Sequence, residues 1–88
     1  MRFTTVRLCG GEALMAVSAD NLDLKMEEVS VRLEERGFKV KKMDEMMIII
    51  EWNGMETTIY PHGKVMFFPL KDRSLCIKYA AEILEDLV

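Results

Sequence analysis

Apolar residues recur at helical spacing in the segment that follows the first twenty residues. Asp20 or Asn21 is suited to cap the start of a helix there, and Gly37 is suited to end it in the left-handed conformation. Four residues between these signals form one stripe at positions i, i+4, i+7 and i+11: Leu22, Met26, Val29 and Leu33. The pattern predicts a helix with one apolar side.

A second helical pattern occupies the C-terminal segment, where Asp72 is suited to be the N-cap. Its predicted apolar side carries six residues: Cys76, Ile77, Ala80, Ile83, Leu84 and Leu87. Leu75 and Tyr79 lie one turn apart on the solvent-side flank of this helix. We expect this pair to be a contact site for a partner.

The remaining segments are rich in β-branched and aromatic residues, as strands are. Between the helices, strands are predicted at residues 38–43, 46–52, 55–60 and 64–69. Asn53 and Gly54 predict a two-residue hairpin turn. Residues 2–9 predict a further strand with a two-residue loop at Gly10 and Gly11. Residues 13–18 then form either a returning strand or, less in keeping with the pattern, a helical turn.

These elements predict an α+β fold in one domain, residues 1–88, with the order β-(β)-α-β-β-β-β-α. The sheet is antiparallel, with about five strands, or six if the N-terminal hairpin is included. Each helix has a single apolar side, so both are expected to cover the same face of the sheet.

Turn lengths decide which strand residues share a face of the sheet. A two-residue turn gives three pairs under the helices: Trp52 with Met55, Ile50 with Thr57, and Ile48 with Ile59. A three-residue turn at residues 61–63 adds Val65 and Phe67 to that face. The opposite side, which we call the open face, then carries six predicted contact residues: Met47, Ile49, Thr58, Tyr60, Met66 and Phe68. Glu51 and Glu56 lie near one end of it. Apolar surface of this extent predicts a contact surface.

Composition narrows the function classes. Half of the 88 residues are hydrophobic and 31% are charged, which is typical of a globular domain. The longest apolar run is far shorter than the ~18–20 residues of a membrane span, and the N-terminus lacks the apolar core of a signal peptide. We therefore expect a cytoplasmic protein that does not bind membranes. The net charge of −3 argues against non-specific binding to nucleic acid.

Few residues offer catalytic chemistry. Cys9 and Cys76 are expected to be reduced, buried thiols. His62, the single histidine, lies in a predicted turn with no cysteine within reach, so no zinc site is expected. Glu51 and Glu56 are expected to be solvated neighbours at the strand ends. We therefore expect neither an enzyme nor a bound cofactor.

One part of the chain resembles a known family. The segment TTIYPHGKVMFFPLKDRSLCIKYAAEILEDL is similar to the end of one repeat of the TATA-box-binding protein family, where an Ile-Phe-x-x-Gly-Lys hairpin leads into a long helix. Residues 22–25, LDLK, resemble the start of the first helix of that repeat. The likeness covers roughly residues 14–88, and Ile59-Tyr60 with Gly63-Lys64 is its most specific part.

The resemblance implies half of a saddle whose concave sheet lies in the minor groove of DNA. Tyr60 matches a phenylalanine that wedges between bases in the family. Three residues match floor positions of the saddle: Thr58, Met66 and Phe68. The sequence departs from the family where phosphate is held, because Ile49 and Glu51 stand at the positions of arginines.

Three functions are therefore weighed. The first is a non-catalytic binding module that contacts a partner protein or a second copy through the open face, or through Leu75 and Tyr79. The second is nucleic-acid binding, with bases stacked on Tyr60 and Phe68 beside Lys64. The third is capture of a small ligand on the sheet. The net negative charge of the chain favours the first of these functions, the binding module.

Overall fold

Six strands and two helices follow one another in the predicted order. The structure, a computed structural model, describes residues 2–87 apart from the side chain of Cys9. The strands are β1 (Phe3–Leu8), β2 (Ala13–Ser18), β3 (Lys39–Met43), β4 (Ile48–Trp52), β5 (Met55–Ile59) and β6 (Lys64–Phe68). The helices are α1 (Met26–Glu35) and α2 (Arg73–Glu85). The predicted α+β fold is confirmed, and residues 13–18 are a strand.

The six strands form one antiparallel sheet in the order β1-β2-β6-β5-β4-β3. The N-terminal hairpin is therefore part of the sheet. Its second strand, β2, pairs with β6 and not with β3, the strand that follows β2 in the sequence. The strands β1 and β3 are the two edges.

The predicted register of the central strands is confirmed. Three pairs join β4 to β5 as expected: Ile48 with Ile59, Ile50 with Thr57, and Trp52 with Met55. Val65 lies opposite Ile59 and Phe67 opposite Thr57, so the three-residue turn also has the predicted effect. Asn53 has a φ of 51° and Gly54 a φ of 74°, which is the conformation that the hairpin turn requires.

Both helices cover the same face of the sheet and form one core with it. The buried sheet residues of this core are Leu14, Ala16, Ile48, Ile50, Met55, Ile59, Val65 and Phe67. From α1 come Met26, Val29 and Leu33, and from the α2 segment come Cys76, Ala80, Ile83, Leu84 and Leu87. Ile77 was expected on the buried side of α2, but it is 38% exposed because it lies at the edge of the apolar arc.

The first helix starts later than expected. It begins at Met26, with Lys25 at the N-cap and no side-chain cap, so the expected cap at Asp20 or Asn21 is wrong. Residues 21–25 are outside the helix because their backbone bonds elsewhere: the Leu24 N–H donates to the Pro61 carbonyl at 3.0 Å. Tertiary hydrogen bonding outweighs the local helical pattern in this segment.

The end of α1 is as expected. Gly37 has a φ of 90°, and its N–H donates to the Glu34 carbonyl at 3.0 Å. The Phe38 N–H donates to the Leu33 carbonyl, also at 3.0 Å. These two bonds form a Schellman motif, which satisfies carbonyls that the helix would otherwise leave free.

The predicted two-residue loop at Gly10 and Gly11 is wrong. Leu8 pairs with Ala13, so four residues connect β1 and β2, and the first three form a short 3-10 turn, Cys9–Gly11. Both glycines do have positive φ, 68° and 93°, as expected. A two-residue loop would require residues 9 and 12 to pair, whereas the last pair of the ladder lies one residue further back on each strand.

The open sheet face as a candidate interface

No element of residues 2–87 packs over the open face, and its side chains form rows across the strands. Successive ladder pairs join one such row, which we call the central stripe: Val6, Met15, Met66, Thr58 and Ile49. Four of these five side chains are apolar, and the row runs from the edge strand β1 to β4. The stripe therefore crosses five of the six strands.

Ladder pairs place four of the six predicted contact residues on this face, namely Ile49, Thr58, Met66 and Phe68. Met47 comes directly before β4 and Tyr60 directly after β5, and the six residues are not equally accessible. Ile49, Met66, Met47 and Tyr60 are half-buried, and Phe68 is exposed. Thr58 is only 2% exposed, because the larger Ile49 and Met66 side chains stand on either side of it in the ladder. Thr58 therefore supports the face without offering contact area.

The N-terminal hairpin contributes residues that the sequence patterns did not place on this face. Val6, Met15 and Val17 share the side of Met66 and Lys64, to which β2 pairs. Val6 is 45% exposed. Alternation within residues 13–18 indicates which residues share a face, but only the pairing of β2 with β6 shows which face that is.

Charges of both signs border the apolar area. Glu51 and Glu56 are directly opposite each other in β4 and β5, which is unfavourable for like charges. Lys39 lies opposite Glu51, and Lys42 opposite Ile49. With Lys64 in β6, the face carries three lysines and two glutamates. Its formal charge is therefore slightly positive, in contrast to that of the whole chain.

The two edges of the sheet differ in how they are protected. The ladder between β3 and β4 shifts between Val40 and Lys42, which leaves Lys41 as an extra residue in a bulge. Lysines and bulges are features that keep an edge strand from pairing with another chain. The pairing of β1 with β2 is continuous over six residues, and β1 has neither proline nor lysine and a single charged residue, Arg7. The β1 edge is therefore less protected against pairing than the β3 edge.

The helix-flank pair does not form one exposed patch. The Tyr79 ring lies with its edge against Trp52, with 4.7 Å between centroids, and 6.0 Å from the Phe67 ring. Trp52 in turn lies 6.3 Å from Phe38. Leu75 is half-buried. Long-range aromatic packing thus engages Tyr79 at the margin of the core.

The described residues contain no arrangement typical of an active site. Cys76 is buried, and burial raises the pKa of its thiol to about 11, which disfavours the reactive thiolate. The side chain of Cys9 lies outside the described residues. Among the described side chains, which leave out Cys9, no three of His, Cys, Asp or Glu are grouped closely enough to hold a metal ion. Neither α1 nor α2 has the length and apolar character that crossing a membrane requires.

Comparison with known proteins adds no functional information. No family model, no curated protein and no solved structure matches the chain. The resemblance to the TATA-box-binding protein family thus stays a prediction, and the candidate interface rests on the geometry of the open face alone.

Proposed function

We propose that this protein is a non-catalytic binding module whose open face packs against another polypeptide, and that a second copy of the chain is that polypeptide. The central stripe is the observation that supports this function. It places Val6, Met15, Met66 and Ile49 in one row on a side of the sheet that neither helix covers. Methionine suits such a surface because its flexible side chain adapts to a partner.

The size of the open face indicates how strong the self-association is expected to be. Six strands at ~4.8 Å spacing span about 24 Å, and three rows of side chains two residues apart span about 13 Å. The flat area between the outermost side chains is therefore roughly 300 Å², and an interface confined to it belongs with the small, weak class rather than with the large obligate interfaces. We therefore expect a reversible association with a dissociation constant in the micromolar range or weaker.

The charges of the face are compatible with self-association. Lys39, Lys42 and Lys64 are mixed with Glu51 and Glu56, so a second copy does not meet a field of one sign. Two copies related by a twofold axis can bring lysines of one face near glutamates of the other. Such pairing lessens the repulsion between Glu51 and Glu56 within each copy.

The test is the average mass in solution between about 10 μM and about 1 mM, measured by sedimentation equilibrium. We expect a rise toward the dimer with concentration, and we expect Met66→Lys to weaken it. Val31→Lys is the matched control, because Val31 is 58% exposed on α1, away from the open face. A mass that stays monomeric over the whole range would refute self-association. Circular dichroism would establish that each variant is folded.

A second variant distinguishes association through the open face from association through the β1 edge. Val6→Lys places a lysine at one end of the central stripe and on the edge strand, where lysine blocks pairing. If the face is the interface, Met66→Lys weakens association more than Val6→Lys does. Loss of association in Val6→Lys alone would mean that the copies meet edge to edge, contrary to the proposal.

Nucleic-acid binding is a second candidate, supported by the lysines of the open face. Phe68 on the open face and Tyr60 directly after β5 offer rings for base stacking, and Lys42 and Lys64 lie on the same side of the sheet as Phe68. The resemblance to a DNA-binding family points the same way. Fluorescence anisotropy with labelled oligothymidine at about 50 mM salt tests it. Binding that weakens with added salt and is lost in Tyr60→Ala would support this candidate, and no binding would remove it.

A further inference from the structure

A groove of about 840 Å³ lies beside the start of α1. Three segments line it: residues 23–28, residues 43–46 at the end of β3 and in the connection to β4, and the turn at Pro61 and His62. None of these residues belongs to the central stripe. The groove is thus a second surface, separate from the one that the proposed self-association uses.

The apolar part of the groove combines a fixed base with two exposed methionines. Leu24 and Met26 are buried in the core, whereas Met43 is 43% exposed and Met46 is 64% exposed. Met46 has the greatest exposed fraction among the exposed large hydrophobic residues of the described chain. Its backbone is hydrogen-bonded within the turn, because the Asp44 carboxylate accepts hydrogen bonds from the Met46 N–H at 2.7 Å and from the Met47 N–H at 3.0 Å. The turn therefore presents an apolar side chain to solvent.

The charged part of the groove is strongly acidic. One lysine and five carboxylates line it: Lys25, Asp23, Glu27, Glu28, Asp44 and Glu45. With His62 neutral, their formal sum is −4, from five negative charges and one positive charge, whereas the whole chain carries −3. The other residues of the chain therefore sum to +1, and the acidic surplus of this protein is concentrated at one groove.

Helix stabilisation accounts for only part of this charge. Asp23, Glu27 and Glu28 lie at or before the first turn of α1, where carboxylates offset the positive end of the helix dipole. Asp44 and Glu45 come from the β3–β4 connection, which faces the groove from the other side. The dipole of α1 also gives no reason for two exposed methionines beside these acids.

We propose that this groove binds a basic amphipathic segment of a partner protein. The apolar side of such a segment would contact Met43 and Met46, and its lysines and arginines would lie near the acidic rim. Unbranched, polarizable methionine side chains are well suited to receive the apolar face of a helix. The excess of four negative charges selects cationic segments and speeds their approach to the groove.

The probe is a synthetic peptide of leucine and lysine patterned at helical period, and the same pattern in leucine and glutamate is its control. Peptide is added to the ¹⁵N-labelled 88-residue chain, and backbone amide shifts are followed by NMR. We expect the lysine peptide to shift amides of residues 23–28 and 43–46, and the glutamate peptide to leave them unchanged. Shifts confined to the open face would overturn the proposal.

Matched variants decide whether the apolar and acidic parts act together. We expect Met46→Gln to weaken peptide binding by about five- to tenfold, since methionine burial is lost. Val31→Gln removes an apolar side chain of similar exposure, 58% against 64% for Met46, from α1 outside the groove, and it should leave binding unchanged. Glu45→Gln should weaken binding at low salt. If Met46→Gln binds as wild type does, the site is only an acidic patch and the proposal is wrong.

Discussion

Replacing Tyr79 by alanine should destabilise the protein far more than its place on the helix flank suggests. The ring packs edge-on against Trp52 at 4.7 Å, with planes at 85°, and lies 6.0 Å from Phe67. Trp52 is also 6.2 Å from Phe67, so these three rings form a closed cluster. Alanine at position 79 would remove two of the three ring pairs of this cluster.

The expected loss follows from these contacts. Each aromatic pair contributes roughly 0.5–1.5 kcal/mol beyond area burial, and truncating a fully buried aromatic residue to alanine costs about 3–5 kcal/mol. Tyr79 is only half-buried, so we expect a loss of about 2–3 kcal/mol in the free energy of unfolding. That is a large part of the ~4–13 kcal/mol expected for a domain of this length. Tyr79→Phe keeps the ring and should cost less than about 0.5 kcal/mol.

Urea denaturation measures this loss. Trp52 is the single tryptophan of the chain and touches the substituted ring, so its fluorescence reports the local environment. Circular dichroism reports the helices independently. With a slope of about 1 kcal/mol per M for a small domain, the midpoint of Tyr79→Ala should fall by about 2 M or more. Agreement of the two signals would support two-state unfolding.

Ile77→Ala is the matched control, because Ile77 is on the same helix and 38% exposed. It should cost less than about 1 kcal/mol. If Tyr79→Ala costs no more than Ile77→Ala, the aromatic cluster does not stabilise the fold. Tyr79 would then remain a candidate for contact with a partner, as the helical pattern alone predicts.

Three further predictions concern stability. Gly37→Ala should lower the free energy of unfolding by about 1 kcal/mol, because alanine is strained at the positive φ of this position. Gly63→Ala should lower it further, because the new Cβ would also lie 3.0 Å from Ser18 Cβ. Thermal or urea unfolding measures both losses. Burial raises the pKa of Cys76 from 9.0 to about 11, so the unfolded thiol ionises first, and stability that is complete below pH 9.0 falls as the pH rises toward about 11. Between pH 9.0 and about 11, the urea midpoint of Cys76→Ala should therefore fall less than that of the wild type, in denaturation curves measured at a series of pH values. Asp72→Ala removes the carboxylate that accepts a 3.1 Å hydrogen bond at the start of α2, and helix content and urea midpoint should report a loss of about 1 kcal/mol.

The residue pattern was sufficient to predict most elements and the register of β4, β5 and β6. Asn53 and Gly54 specify a two-residue turn through their own backbone preferences, and the turn then decides every pair along the two strands. Gly37 and Asp72 similarly mark helix ends through bonds to residues a few positions away. Such features are readable because neighbours in the chain are neighbours in space.

The open face was predicted only in part. Its residues in β4, β5 and β6 follow from local turns, but Val6 and Met15 joined it through the pairing of β2 with β6, whose residues are about fifty positions apart. No local pattern encodes such a partner. The same limit explains Leu24, whose bond to Pro61 keeps residues 21–25 out of α1.

The sequence by itself determined the elements, their turns and the alternation of side chains, because these depend on short-range backbone preferences and on hydrophobic period. Tertiary structure decided what each surface offers. It buried Thr58 between larger neighbours, packed Tyr79 against Trp52, and gathered the acidic surplus at the groove beside Met46. These outcomes depend on which distant segments meet, since exposure and local charge are properties of an assembled surface and not of a stretch of chain.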